Sequence, residues 1–236
     1  MNPSSPSISL RDRLIIALDV PTPGEALNLV STLAGTASVF KIGLQLYTVA
    51  GPEIVRKVSA TGAKIFLDLK LHDIPNTVGK AVAAAAALEV QMLTVHLSGG
   101  RQMLNAAIEA KGPNLLVLGV TVLTSTTEEN LRETGIDSRL DEQVVRLGEL
   151  GNQCGIDGLI TSPHEVPLLR KQLGQKLKLV TPGVRPKWSE PNDQKRFTTP
   201  QEALHNGADY LVIGRPITAA ADPRRAMERL LSEIAE

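Results

Sequence analysis

Residues 64 to 88 read Lys64-Ile-Phe-Leu-Asp-Leu-Lys-Leu-His-Asp-Ile-Pro-Asn-Thr-Val-Gly-Lys-Ala-Val-Ala-Ala-Ala-Ala-Ala-Leu88. The opening part, Lys64–Leu69, is a short and nearly continuous apolar run; Val78–Leu88 is longer and helical in pattern. Pro75 stands near the start of the second part, where a missing N–H costs little. An unbroken apolar run suits a strand covered on both faces, the situation of a parallel sheet. Parallel strands need a crossover connection, and a helix is its usual form. One strand followed by one helix is therefore the unit.

The unit recurs along the chain. Further apolar runs lie at Arg13–Leu18, Ser38–Ile42, Met92–Val95, Leu115–Val122, Gly158–Ile160, Lys178–Val180 and Tyr210–Ile213, which makes eight with Lys64–Leu69. Helical patterns occupy Pro23–Leu33, Pro52–Val58, Arg101–Ala110, Asp141–Cys154, Pro163–Leu173, Pro200–Asn206 and Pro223–Ile234. Glycines 35, 62, 112, 174 and 207 follow helical stretches, as C-terminal caps do. Eight such units can close a sheet, so the spacing predicts an α/β fold of the (β/α)8 TIM barrel type. An open doubly wound sheet usually has fewer strands at this length, and no G-x-G-x-x-G follows the first run. No linker divides the 236 residues. A single barrel domain over 12–236 is expected, after a flexible Ser- and Pro-rich tail over 1–11.

Composition narrows the partners. Lys+Arg and Asp+Glu both number 25, so the net charge is zero and nucleic acid or an acidic membrane is not an expected partner. The lone cysteine, Cys154, excludes an internal disulfide and a cysteine-based metal cluster, and suits a reducing compartment. Six aromatic residues in the whole chain leave little for a stacking site. Leu14–Leu18 is too short for a signal core or a membrane span, so the expected location is cytoplasmic.

In a barrel of this type the chemistry sits at the C-terminal ends of the strands. Those positions hold Asp19, Lys41, Asp68 with Lys70, His96, Thr124, Thr161, Pro182 with Arg185, and Gly214 with Arg215. Asp19 and Thr161 are equally explained as caps of the following helices, and His96 as a satisfied core histidine. Asp68 and Lys70 share one face of an extended strand and point into the barrel mouth. A purely structural ion pair is a weak explanation there, because apolar replacement of a buried pair is often neutral for stability. With Lys41 and Asp73 the set alternates in sign, an arrangement able to keep a lysine protonated and aimed at one substrate atom. Thr181-Pro-Gly-Val-Arg185 and Ile213-Gly-Arg-Pro216 follow strands seven and eight, the usual phosphate-binding loops of the fold. Gly183 and Gly214 permit close backbone approach, and arginine can fork onto phosphate oxygens. The polar stretch Arg185–Thr199 suits a lid as well as it suits a solvated loop.

The stretch Asp68-Leu-Lys-Leu-His-Asp-Ile-Pro-Asn-Thr77 closely resembles the signature of the orotidine 5′-monophosphate decarboxylase family. The resemblance extends to Ala17-Leu-Asp19, Phe40-Lys-Ile-Gly43, Val95-His-Leu-Ser-Gly-Gly100, Val120-Thr-Val-Leu-Thr124, Thr181-Pro-Gly-Val-Arg-Pro186, Asp193-Gln194 and Ile213-Gly-Arg-Pro216, and the compact lid is like that of its bacterial branch. It implies decarboxylation of orotidine 5′-monophosphate to UMP and CO2 without a cofactor or metal, the last step of pyrimidine nucleotide synthesis. By that resemblance Lys70 protonates C6 of the pyrimidine within a network of Lys41, Asp68, Lys70 and Asp73. Asp73 and Thr77 reach the neighbouring subunit's ligand, so the active unit is a homodimer. Asp19 and Lys41 hold ribose hydroxyls, Thr124 contacts the pyrimidine, and Gln194, Arg185, Gly214 and Arg215 bind the phosphate or bridge it to the base. Two other readings compete. A metal-dependent phosphosugar lyase or aldolase shares Asp-x-Lys-x-x-Asp, but places on strand two a glutamate where this chain has Lys41, a cation that repels a metal. A non-catalytic binder of phosphorylated ligands would have no need of Lys70.

Overall fold

The structure, a computed structural model, describes residues 9–189 and 198–235. Eight parallel strands close into a barrel: β1 (Leu14–Ala17), β2 (Val39–Gly43), β3 (Lys64–Leu71), β4 (Met92–His96), β5 (Leu116–Val120), β6 (Gly158–Ile160), β7 (Lys178–Pro182) and β8 (Tyr210–Ile213), with β8 paired back to β1. Around them run α1 (Pro23–Thr32), α2 (Leu44–Ala50), α3 (Pro52–Ser59), α4 (Pro75–Ala86), α5 (Gly100–Ala110), α6 (Glu128–Glu133), α7 (Leu140–Gln153), α8 (Val166–Leu173), α9 (Pro200–His205), α10 (Arg215–Thr218) and α11 (Pro223–Ala235). The expected (β/α)8 barrel is the observed fold.

The strands are apolar on both faces because both faces are covered. Ile15, Val39, Phe66, Met92 and Leu118 belong to a cluster filling the barrel interior. Their neighbours Ile16, Phe40, Leu67, Leu93 and Val117 point outward into a larger core beneath the helices. Alternation of side chains with period two produces this division. Glycines 35, 62, 112, 174 and 207 all have positive φ, the conformation their capping positions require.

Three helices lie outside the sequence expectation, each for want of an apolar stripe. Only Leu46 is buried on α2, only Leu131 on α6, and α10 is a single turn with Ile217 buried. At the start of the barrel, Leu10–Arg13 form a 3-10 turn and the Arg11 guanidinium donates to the Gly35 carbonyl. Residues 10 and 11 thus join the folded body, although their composition resembles that of the tail. Strand β3 runs two residues further than the apolar run. Its pairing with β4 is irregular between Leu67 and Leu71 and resumes at Leu71 opposite Val95.

Candidate active site

Following the inward-facing positions upward shows how the site is built. Above the apolar filling, β1 leads to Asp19, and β2, β3 and β4 bear Lys41, Asp68 and Thr94. On the opposite side β5, β6 and β8 bring Val120, Ile160 and Val212 to the lining. A pocket of ≈ 290 Å³ is lined by both halves, the charged half also contributing Lys70 and the other half Thr124, Pro182, Gly183 and Gly214.

The charged half is one connected chain of groups. Lys41 Nζ donates to Asp19 Oδ1 at 2.8 Å and lies 3.8 Å from Asp68 Oδ2. Lys70 Nζ lies 2.8 Å from each Asp68 oxygen. Lys41 and Asp68 are only 8% and 9% exposed, whereas the Asp19 side chain is 60% exposed. The Asp68 carboxylate therefore sits between two lysines where water screens their attraction weakly. Lys70 has φ +49, a left-handed conformation unusual for a side chain larger than glycine. This bend keeps Lys70 at the pocket while the strand re-pairs beyond it.

Gly43 supplies the room this arrangement needs. A Cβ at that position would stand 3.0 Å from Lys41 Nζ and 3.3 Å from Asp19 Oδ1. Its φ of −94° is open to any residue, so crowding alone is at issue. Gly43→Ala is expected to displace the Lys41–Asp19 pair and lower kcat/KM about tenfold to a hundredfold. Its melting temperature should fall by no more than a few degrees. Steady-state kinetics beside a thermal scan check this, and an unchanged kcat/KM would show that the crowding is absorbed.

The remaining expected residues divide by place. Asp73 is exposed, its Oδ1 accepting the N–H of Ile74, and it stands apart from the cluster within one chain. Thr77 is exposed on the first turn of α4. Thr124 lies in the pocket lining. Arg185 is buried after β7; Gly214 precedes α10, and Arg215 begins that helix with an exposed side chain. Gln194 and most of the expected lid lie outside the described residues. Asp19 does not cap α1; the Thr22 hydroxyl does, accepting from the Glu25 N–H. His96, half-buried, packs its ring 5.6 Å from that of His72, and burial first, then the His72 and Lys70 charges, holds it below the usual histidine range.

Thr161 is not a side-chain helix cap; its hydroxyl donates to the Glu165 carboxyl, which also accepts from the Ser162 N–H. Burial pushes Glu165 above its ordinary value of 4.5, against the opposing pull of those hydrogen bonds. The folded chain consequently binds this proton more tightly than the unfolded chain does. That contribution to stability is full below 4.5 and is lost as pH rises through the raised folded value. Glu165→Gln carries no charge at any pH, so its melting temperature relative to the parent should climb as pH rises from 4.5 through the raised folded value. Thermal scans across that range test it; a difference independent of pH would contradict the assignment.

Thr94 is the residue that sequence reasoning missed. Its hydroxyl touches both Asp68 and the backbone of Lys70. A single hydroxyl inside the apolar run Met92–Val95 looks like an ordinary strand threonine. The one available signal was its place on the inward face, two residues before the strand's end.

A closed barrel with alternating acids and lysines in its mouth, facing glycine-bearing loops after β7 and β8, defines a barrel enzyme whose chemistry depends on placed charge. The model of the Orotidine 5'-phosphate decarboxylase / HUMPS family matches residues 12–230, and the chain belongs to that family. It is 48% identical to the orotidine 5'-phosphate decarboxylase of Syntrophotalea carbinolica over 236 aligned positions, covering 97% of each protein. To the orotidine 5'-phosphate decarboxylase of Opitutus terrae it is 49% identical, covering 94% of this chain and 97% of the relative. Among solved structures, the orotidine 5'-phosphate decarboxylase of Lactobacillus acidophilus superposes with TM-score 0.84 at 37% identity, covering 94% of this chain and 99% of the other.

Proposed function

We propose that this chain is a carboxy-lyase that converts orotidine 5′-monophosphate to UMP and CO2 in pyrimidine nucleotide synthesis, as a homodimer and without a cofactor. Membership of the family supports the reaction class. The observation that carries the residue-level reading is the Lys41–Asp68–Lys70 chain, with Lys70 at the pocket and flanked by a buried carboxylate.

In this reading the C6–carboxylate bond breaks, CO2 leaves, and the bonding pair stays on C6. A proton from Lys70 Nζ then forms the C6–H bond of UMP, and the lysine regains its proton from solvent. The developing carbanion lacks an internal electron sink, so a fixed cation is the main means of stabilising it. The Lys70 charge favours that carbanion more than it favours neutral CO2, which is differential binding of the transition state. Asp68 repels the substrate carboxylate, and this repulsion vanishes as CO2 departs. Asp19 and Lys41 hold the ribose hydroxyls, and Thr124 meets the pyrimidine. The phosphate is held by Gly214, Arg215 and Arg185, with Gln194 of the lid bridging it to the base.

Asp73 and Thr77 serve the partner's site in this proposal. They are exposed, and so are large apolar side chains in the segments that follow the paired strands β2 and β3: Leu44 at 56%, Val49 at 61%, and Ile74, next to Asp73, at 66%. Exposed apolar groups in one region mark surfaces that associate. No helix among the described residues is long and apolar enough to cross a membrane. The single free cysteine, buried on the barrel's helical layer, supports a cytoplasmic location.

The deciding experiment mixes the protein with orotidine 5′-monophosphate and excess EDTA and follows CO2 release. Release at the same rate with and without EDTA is expected. No release, with activity restored by Mg²⁺, would replace this reading with the metal-dependent one.

A further inference from the structure

We propose that Thr94 is a positioning residue for the decarboxylation, setting both the backbone of Lys70 and the orientation of Asp68; this rests on the reading of Lys70 as proton donor. The problem Thr94 solves arises from the irregular pairing of β3. Between Leu67 and Leu71 the regular ladder to β4 is interrupted, and Lys70 adopts its left-handed φ of +49 within that gap. A backbone N–H in such a gap has lost its strand partner and needs another. The Thr94 hydroxyl oxygen accepts it, at 2.8 Å.

The same hydroxyl has one proton, and it goes to Asp68 Oδ1 at 2.9 Å. A carboxylate offers only acceptor oxygens, so the direction of this second bond is settled: Thr94 donates and Asp68 accepts. Asp68 Oδ1 thereby takes bonds from Thr94 and Lys70, while Oδ2 faces Lys70 and Lys41. One hydroxyl thus ties the carboxylate to the backbone of the lysine that carries the chemistry. Thr94 has no exposed surface and does not line the pocket, so it acts on the ligand only through these two residues. Strained backbone at a site persists when its surroundings over-determine it, and Thr94 is the side chain that does so here.

Valine fills the space of threonine without the hydroxyl. Thr94→Val is expected to lower kcat about tenfold to a hundredfold through misplacement of Lys70. KM should stay within about threefold, since the phosphate and ribose contacts are untouched. Thr94→Ser, which restores the hydroxyl, should recover kcat to within about threefold of the parent. If the valine variant fails to fold, Thr94→Cys, a poor donor and acceptor, should show the same loss of kcat at unchanged KM. A parent-like kcat in Thr94→Val, or a folded Thr94→Ser as slow as the valine or cysteine variant, would overturn the proposal. Absence of CO2 release from the unmodified protein would instead refute the underlying reaction.

Discussion

Replacing Lys70 by alanine is expected to lower kcat by about 10⁴-fold or more while leaving the barrel intact. The size follows from two losses at one position. In the proposed reaction the variant lacks the proton that C6 must receive, and it lacks the cation that opposes the charge developing there. No other side chain of the cluster takes over, because Lys41 is already held at 2.8 Å by Asp19. In the same reading, removal of Lys70 also leaves Asp68 facing the substrate carboxylate with one lysine instead of two. The fold should survive. The Lys70 side chain is 28% exposed at the pocket and contributes nothing to either apolar core. Alanine also meets the same left-handed backbone that lysine already tolerates. Circular dichroism and a thermal scan check the fold, single-turnover kinetics the loss. A near-normal kcat would remove Lys70 from the role of proton donor.

The second large effect is a recovery. Lys70→Ala and Asp73→Ala chains should each be nearly inactive alone and regain activity when mixed under conditions of subunit exchange. If each site combines one chain's Lys70 with its partner's Asp73, a mixed dimer carries one site with both defects and one with neither. With random exchange about a quarter of all sites become intact, and activity should approach that fraction of the parent's. The structural basis is the position of Asp73. It lies three residues beyond Lys70, yet is exposed and, among the described residues, bonded to its neighbour's N–H, outside the Asp19–Lys41–Asp68–Lys70 chain. Exchange verified by mass spectrometry with no recovery would show that each chain builds its own site.

Much of the barrel was legible because its signal is repeated. Gly158–Ile160 and Tyr210–Ile213 have the same limits in sequence and structure, and the other strands differ by two residues or fewer at either end. Doubly covered strands must be apolar throughout, and this writes their limits into the sequence. The helix α4 begins at Pro75, three residues before its apolar period becomes visible at Val78, since its first turn faces solvent. Asp19, Lys41, Asp68 and Lys70 stood out as charges at the ends of apolar runs. Thr94 did not, because a hydroxyl inside a strand carries no charge and breaks no pattern. The backward turn at Lys70 was equally hidden: a positive φ is signalled in sequence by glycine or asparagine, and lysine signals neither. The pairing irregularity depends on how two strands meet, which neither strand records by itself.

The two-sidedness of the pocket has a consequence for inheritance. Every charged group of the cluster, and the threonine beneath it, is encoded before residue 95; the uncharged wall and the glycine-bearing loops are encoded after residue 115. In the proposed reading, the reacting groups and the phosphate grip are thus written in separate stretches of the gene. Recombination between β4 and β5 would pass on the charged cluster whole and exchange the uncharged wall and the loops after β7 and β8. A lineage built on this plan can change what it acts upon by varying one half, while the other half keeps its working parts in register.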